Sequence, residues 1–186
     1  MDEIKFTELE DWINAAYEYT LPNWEQLSSI PLYMDQVMMF MSEVFDLLEN
    51  NNKTSILTNS MVNNYVKCGL VEHPIQKKYN REHLAKLVMI GMLKQVLSIQ
   101  DISILFSENQ DSSSLYSEFK EAQDKALHDT LASVDYAEHS SDALRAAALR
   151  LAAESNARRM VAERILLGLS TPQPKEQKSK KSQKNK

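Results

Sequence analysis

The clearest pattern in the chain is an apolar stripe at Met34, Val37, Met38, Met41, Val44, Phe45 and Leu48. Steps of three and four residues place all seven on one side of a helix, with Asp35, Gln36, Ser42, Glu43, Asp46 and Glu49 opposite. A methionine-rich stripe suits either a core or an adaptable binding surface, and here it is assigned to the core. Ahead of it, Thr7-Glu8-Leu9-Glu10 has the form of a capping box. It predicts a first helix over residues 7–19 with Leu9, Ile13 and Ala16 inward. Trp24, Leu27 and Ile30 predict a short packed turn before Pro31. The polar run 50–53 predicts a loop.

Thr58 as N-cap and Gly69 just past the end bracket a third helix over residues 59–68. Leu70-Val71 and Lys78-Tyr79 then predict a tiny hairpin around residues 72–77. Asn80 caps a fourth helix, residues 81–97, whose run Leu87 to Leu93 is apolar on nearly every side and so predicts burial. Gly91 costs about 1 kcal/mol there relative to Ala, which predicts a close approach by another element. Ser98, with Asp101 three residues on, opens a fifth helix to about residue 106. Two longer helices follow at 114–134 and 142–169. The first carries Leu115, Phe119, Ala122, Ala126, Leu127 and Val134 on its apolar side. The second keeps Leu149, Ala153, Ala157, Met160 and Leu167 at helical spacing, with small residues that permit a close helix contact. From Thr171 onward a Lys/Gln/Ser tail lacks the apolar surface to fold.

Composition supports the helical reading. Only 3 of 186 residues are glycine, which is poor for strands, hairpins and phosphate loops. The lone cysteine, Cys68, excludes an internal disulfide, so a reducing cytoplasm is the expected compartment. The acidic stretch 1–11 lacks the basic and apolar regions of a signal peptide. The longest apolar run is far too short for a membrane span, so no membrane partner is expected.

The net charge of −5 conceals an alternation. Residues 1–49 are strongly acidic, with Lys5 their one cation, whereas residues 50–98 carry seven Lys/Arg against Glu72 and Glu82. Residues 99–140 are acidic again and the last fifteen are basic. A basic segment inside an acidic chain suits a polyanionic partner, and it equally suits a solvated face balanced by its neighbours.

Candidate chemistry concentrates on the third helix. Ser60, Asn63, Asn64 and Lys67 form one polar stripe without a carboxylate, while Met61, Val62, Tyr65 and Val66 face the protein. Asn pairs bidentately with adenine, and Ser, Asn and Lys contact phosphates. Lys77 and Lys78 follow in the predicted hairpin, Arg81 opens the next helix, and Lys86 lies further along it. Together they outline a surface for a groove and its backbone. The competing reading is a solvated helix face. Cys68, His73 and His83 flank one turn, but their spacing matches no zinc pattern, so no metal site is expected. Cys68 is expected to pack as a small apolar side chain. There is no phosphate loop, nucleophile elbow or paired-His helix, so neither an enzyme nor a cofactor is expected.

The run from Leu57 through Gly69-Leu70 to Pro74, followed by Lys78-Tyr79-Asn80-Arg81, resembles the mercury-resistance-regulator (MerR) type of winged helix-turn-helix domain. Tyr65, Gly69, Leu70, Pro74, Tyr79, Leu84, Leu87, Ile90, Ser98 and Ile102 fall where that pattern has them. Asn63 and Asn64 stand where that type usually carries arginine, and the wing is short. Leu21-Pro22-Asn23-Trp24, Leu32 to Gln36 and Met61 to Tyr65 are more closely similar to a bacterial family of unknown function, the domain-of-unknown-function family numbered eighteen thirty-six.

Pattern and resemblance together predict an all-α fold: the resemblance implies a MerR-like winged helix-turn-helix core with a small two-stranded wing, and the periodicity of residues 114–169 adds a C-terminal helical hairpin. The expected division is an N-terminal helix and buttress at 1–31, the winged domain at 32–110, a C-terminal helical dimerisation region at 111–170, and a disordered basic tail at 171–186. The expected function is a cytoplasmic transcription regulator that binds double-stranded DNA as a homodimer. Its candidate DNA-binding residues are Ser60, Asn63, Asn64, Lys67, Lys77, Lys78, Arg81 and Lys86. The alternative is a degenerate winged helix that serves as a protein–protein interaction module.

Overall fold

Two short strands far apart in sequence organise the centre of the protein. β1 (Leu32–Tyr33) pairs antiparallel with β2 (Lys78–Tyr79), Leu32 opposite Tyr79 and Tyr33 opposite Lys78. Each strand runs directly into a helix: β1 into α2 (Met34–Phe45) and β2 into α4 (Arg81–Leu93). The ladder therefore fixes the starting points of both helices relative to each other. The computed structural model describes residues 2–49, 55–106, 111–134 and 140–170, with side chains from residue 7. The expected loop at 50–53 and the tail at 171–186 lie outside the described residues.

Around this ladder stand α1 (Asp2–Glu18), a single 3-10 turn (Trp24–Gln26), α3 (Asn59–Lys67), α5 (Ile99–Leu105), α6 (Ser112–Ala132) and α7 (Ser141–Ser170). The α2 stripe is core as expected: Val37, Met41, Val44 and Phe45 are buried. α4 is the central helix, buried from His83 to Gly91 except at Lys86. Gly91 marks a close approach. A Cβ there would lie 2.9 Å from Phe45 Cε2 and closer still to Cζ, so the ring packs directly on the α4 backbone. α3 joins the same core through Val62, Tyr65 and Val66.

α6 packs against α4 and α1, and α7 packs against α5. Tyr116 of α6 is fully buried and its hydroxyl donates to Pro22 O at 2.8 Å. Further along α6, Asp124 accepts hydrogen bonds from Leu21 N (3.1 Å), Thr20 Oγ1 (2.5 Å) and Lys120 Nζ (2.6 Å). Burial alone would raise the Asp124 pKa. The three donors and the Lys120 charge outweigh it and hold the carboxyl below its usual range. The segment after α1 is thus clamped to α6. Tyr19 adds a bond from its hydroxyl to Val44 O at 2.8 Å, and burial pushes this phenol up to about 12.

Helix starts follow local chemistry. Thr58, Asn80, Ser98 and Asp111 each accept a backbone N–H from the first turn of α3, α4, α5 and α6. At α4 the box is reciprocal, because Asn80 N donates to His83 Nδ1 at 3.1 Å.

Several expectations are corrected. Thr7 is interior to α1, which begins at Asp2; nothing among residues 2–6 breaks a helix, so the local capping pattern loses to continuation. The partner of Lys78-Tyr79 is Leu32-Tyr33 rather than Leu70-Val71. The N–H groups of Leu70 and Val71 are spent on Tyr65 O, at 2.9 and 3.2 Å, where they close the end of α3 around Gly69 (φ +76°). Ile30 is exposed rather than packed. α4 ends at Leu93, and residues 94–96 form a turn instead of a further helical stretch. Cys68 is exposed, because it caps α3 beyond the buried face; its thiol donates to Tyr65 O at 3.4 Å. On α7, Leu149, Met160 and Leu167 are exposed, and Leu166 is the buried side chain. The inward face of α7 is rotated from the expected stripe because the helix lies against α5.

Candidate nucleic-acid interface

α3 presents the stripe that its sequence predicts. Ser60, Asn63, Asn64 and Lys67 are all exposed, while Val62, Tyr65 and Val66 anchor the opposite side. The amides and the hydroxyl are thus held on a short helix whose orientation is fixed by burial and by the Thr58 cap. A rigid platform of this kind suits side chains that must meet base edges.

The turn before β2 is the second part of the surface. Ile75 and Lys78 form an isolated bridge, and Lys78 N donates to Ile75 O at 2.9 Å. The two residues between them, Gln76 and Lys77, have φ of +51° and +63°. Two consecutive left-handed residues are the signature of a type I′ hairpin turn, which normally employs Asn-Gly or Gly-Gly. Holding a Cβ-bearing residue in this region costs on the order of 1–2 kcal/mol. The turn therefore projects the Gln76 and Lys77 side chains, with Ile75 also exposed, at the expense of local strain.

The remaining cations are committed internally. Lys78 Nζ sits 4.9 Å from the Tyr33 ring centroid. Arg81 Nε donates to Leu27 O at 3.0 Å and its guanidinium covers Trp24 at 5.9 Å. Lys86 forms an ion pair with Glu72 and lies 5.8 Å from the Phe106 ring. Burial would raise the Glu72 pKa, but the hydrogen bond and charge of Lys86 hold the carboxyl below its ordinary range. Of the eight predicted contact residues, Ser60, Asn63, Asn64, Lys67 and Lys77 form the exposed set. Glu72 was not singled out by sequence, since a carboxylate 14 positions from its partner carries no local signal. The left-handed pair was equally hidden, because it contains no glycine.

His83 is buried at the start of α4, edge-on to Tyr79 with centroids 5.5 Å apart. Its Nδ1 is engaged by Asn80, while its Nε2 has no partner. Burial depresses its pKa, against smaller opposing effects from Glu72, Glu82 and backbone bonds. Among the described residues no group of three His, Cys, Asp or Glu side chains is arranged to hold a metal ion. Among those residues no helix is long and apolar enough to cross a membrane.

These features define a mostly helical protein in which a small two-stranded sheet joins two core helices. The family model described as a domain of unknown function (DUF1836) matches residues 22–126, and the chain belongs to this family. The match spans the 3-10 turn, both strands, α2 to α5 and much of α6. Comparison with curated proteins and with solved structures gives no match.

Proposed function

We propose that residues 32–106 form a MerR-like winged helix-turn-helix and that the protein binds duplex DNA as a cytoplasmic regulator, without catalysis. The order α2, α3, strand-bordered turn, α4 and α5 supports this reading, with β2 paired to β1 ahead of α2 and not to a strand after α3. In this reading α3 enters the major groove, Asn63 and Asn64 select bases, and Lys67 and Lys77 meet phosphates. The observation that carries it is Lys77 in the left-handed region, a conformation glycine would adopt without strain. The strained turn presents a cation that a relaxed glycine turn would lack.

A homodimer is part of the proposal. α7 exposes Leu149, Met160 and Leu167 along one side. A second copy would cover this surface and place two α3 helices on successive half-sites.

A specific observation supports a second reading as a protein-interaction module. Glu72 lies in the segment between α3 and the strained turn, neutralises Lys86, and leaves few free cations on this side. Selection of a random duplex library at low salt distinguishes the two. Enrichment of a motif that Asn63→Ala relaxes supports DNA binding, and failure to enrich any motif supports the interaction module.

A further inference from the structure

An open cavity of about 680 Å3 lies where the end of α4 meets the segment before α3. Leu48, Ile56, Met61, Met92, Leu93 and Val96 provide its apolar wall. Ser55, Gln95 and Gln123 are polar but uncharged, and Lys94 is the one ionised group among the described lining residues. Its size falls within the range of small-molecule sites, which are mostly apolar with a few placed polar groups.

Lys94 is unusual within this protein. Its half-buried ammonium donates to the Ile56 carbonyl and approaches Met61 Sδ at 3.3 Å. Among the described residues it has no carboxylate partner, a condition it shares with Lys78 and Arg81, but unlike them it lines a cavity. Burial lowers the Lys94 pKa, as expected for a cation that has given up water without gaining an anion. A carbonyl and a thioether satisfy donors, but neither neutralises the charge.

The cavity also continues. Leu93 and Val96 also belong to the wall of a second pocket of about 400 Å3, lined by Leu97, Leu151 and Ala162 and, on its polar side, by Glu154, Arg158 and Arg159. Leu93 and Val96 thus form an apolar edge common to both pockets, beside the ammonium. A ligand that suits both features has one negative charge at one end and a flexible hydrocarbon body. A phosphate dianion would call for a second cation beside Lys94, and the first pocket contains none among its described residues.

We propose that this trough binds an aliphatic monocarboxylate, with its carboxylate on Lys94 and its chain running over Leu93 and Val96. The cavity touches α3 through Met61 on the side away from the exposed stripe, and its test does not involve DNA. Calorimetric titration of the full chain with octanoate and with octan-1-ol, equal in chain length, reads the contribution of the charge. Octanoate should bind about tenfold tighter or more, the effect of one desolvated charge-assisted contact. Lys94→Met should abolish that preference and Lys94→Arg should retain it. Val96→Trp, at an exposed position outside the core, should weaken both ligands together by obstructing that edge, and it keeps the test decisive if Lys94→Met fails to fold. Equal affinity for the acid and the alcohol in the wild type, a preference that survives Lys94→Met, or octanoate binding unchanged by Val96→Trp would each overturn the proposal.

Discussion

Gly91 of α4 and Phe45 of α2 are in contact through the glycine backbone itself: the phenyl ring occupies the space where any other residue would place its Cβ. In an unobstructed helix, Gly→Ala would be stabilising by about 1 kcal/mol. Here Gly91→Ala should instead destabilise by about 1–3 kcal/mol, because the buried ring must shift within a filled core. Urea unfolding of the two proteins checks this, and an unchanged or raised midpoint would show that the ring yields freely.

His83 predicts a dependence on pH. The folded state depresses its pKa, so the unfolded chain takes up a proton near the ordinary value of 6.5 while the folded chain does not. The associated stability is complete above pH 6.5 and is lost as the pH falls through that value and the lower folded one. His83→Gln retains a side chain that can complete the capping box with Asn80 but cannot titrate. The wild-type unfolding midpoint should fall between pH 7.5 and 5.5, and the variant midpoint should fall less. Parallel curves would exclude His83 as the source.

The outer side of α7 predicts association. Leu149→Glu combined with Met160→Glu introduces two carboxylates at exposed positions outside the monomer core. Light scattering should show a dimer for the wild type at micromolar concentration and a monomer for the double variant, with helical content preserved. A wild-type monomer would remove the dimer from the account.

Much of the fold was legible because its signals are local. The α2 stripe, the Thr58, Asn80 and Ser98 caps and the glycine at Gly91 each act within a few residues or through helical periodicity, and each performs as expected in the structure. The pairing of Leu32 with Tyr79 was not legible, because two-residue strands 47 positions apart leave no alternation to read. The inward face of α7 was missed for a related reason. An alanine-rich helix has several faces capable of packing, and its contact with α5 selects among them.

The stripe on α3 was readable because helical spacing alone sorts Ser60, Asn63, Asn64 and Lys67 from Val62, Tyr65 and Val66. The fate of the surrounding cations was not. Arg81 is turned to Leu27 O and Lys86 to Glu72 by contacts that form only after folding. Sequence therefore overstated the positive charge available to a polyanion.

Lys77 provides the most direct measurement. Lys77→Gly relieves a left-handed side-chain-bearing residue and removes one exposed cation in a single change. Stability by urea unfolding and affinity for a selected duplex at several salt concentrations should be measured on the same preparations. The variant should be more stable by about 1 kcal/mol, bind DNA more weakly, and show a salt dependence shallower by about one unit of slope. A stabilised variant with unchanged affinity and unchanged slope would contradict the assignment of this turn to DNA.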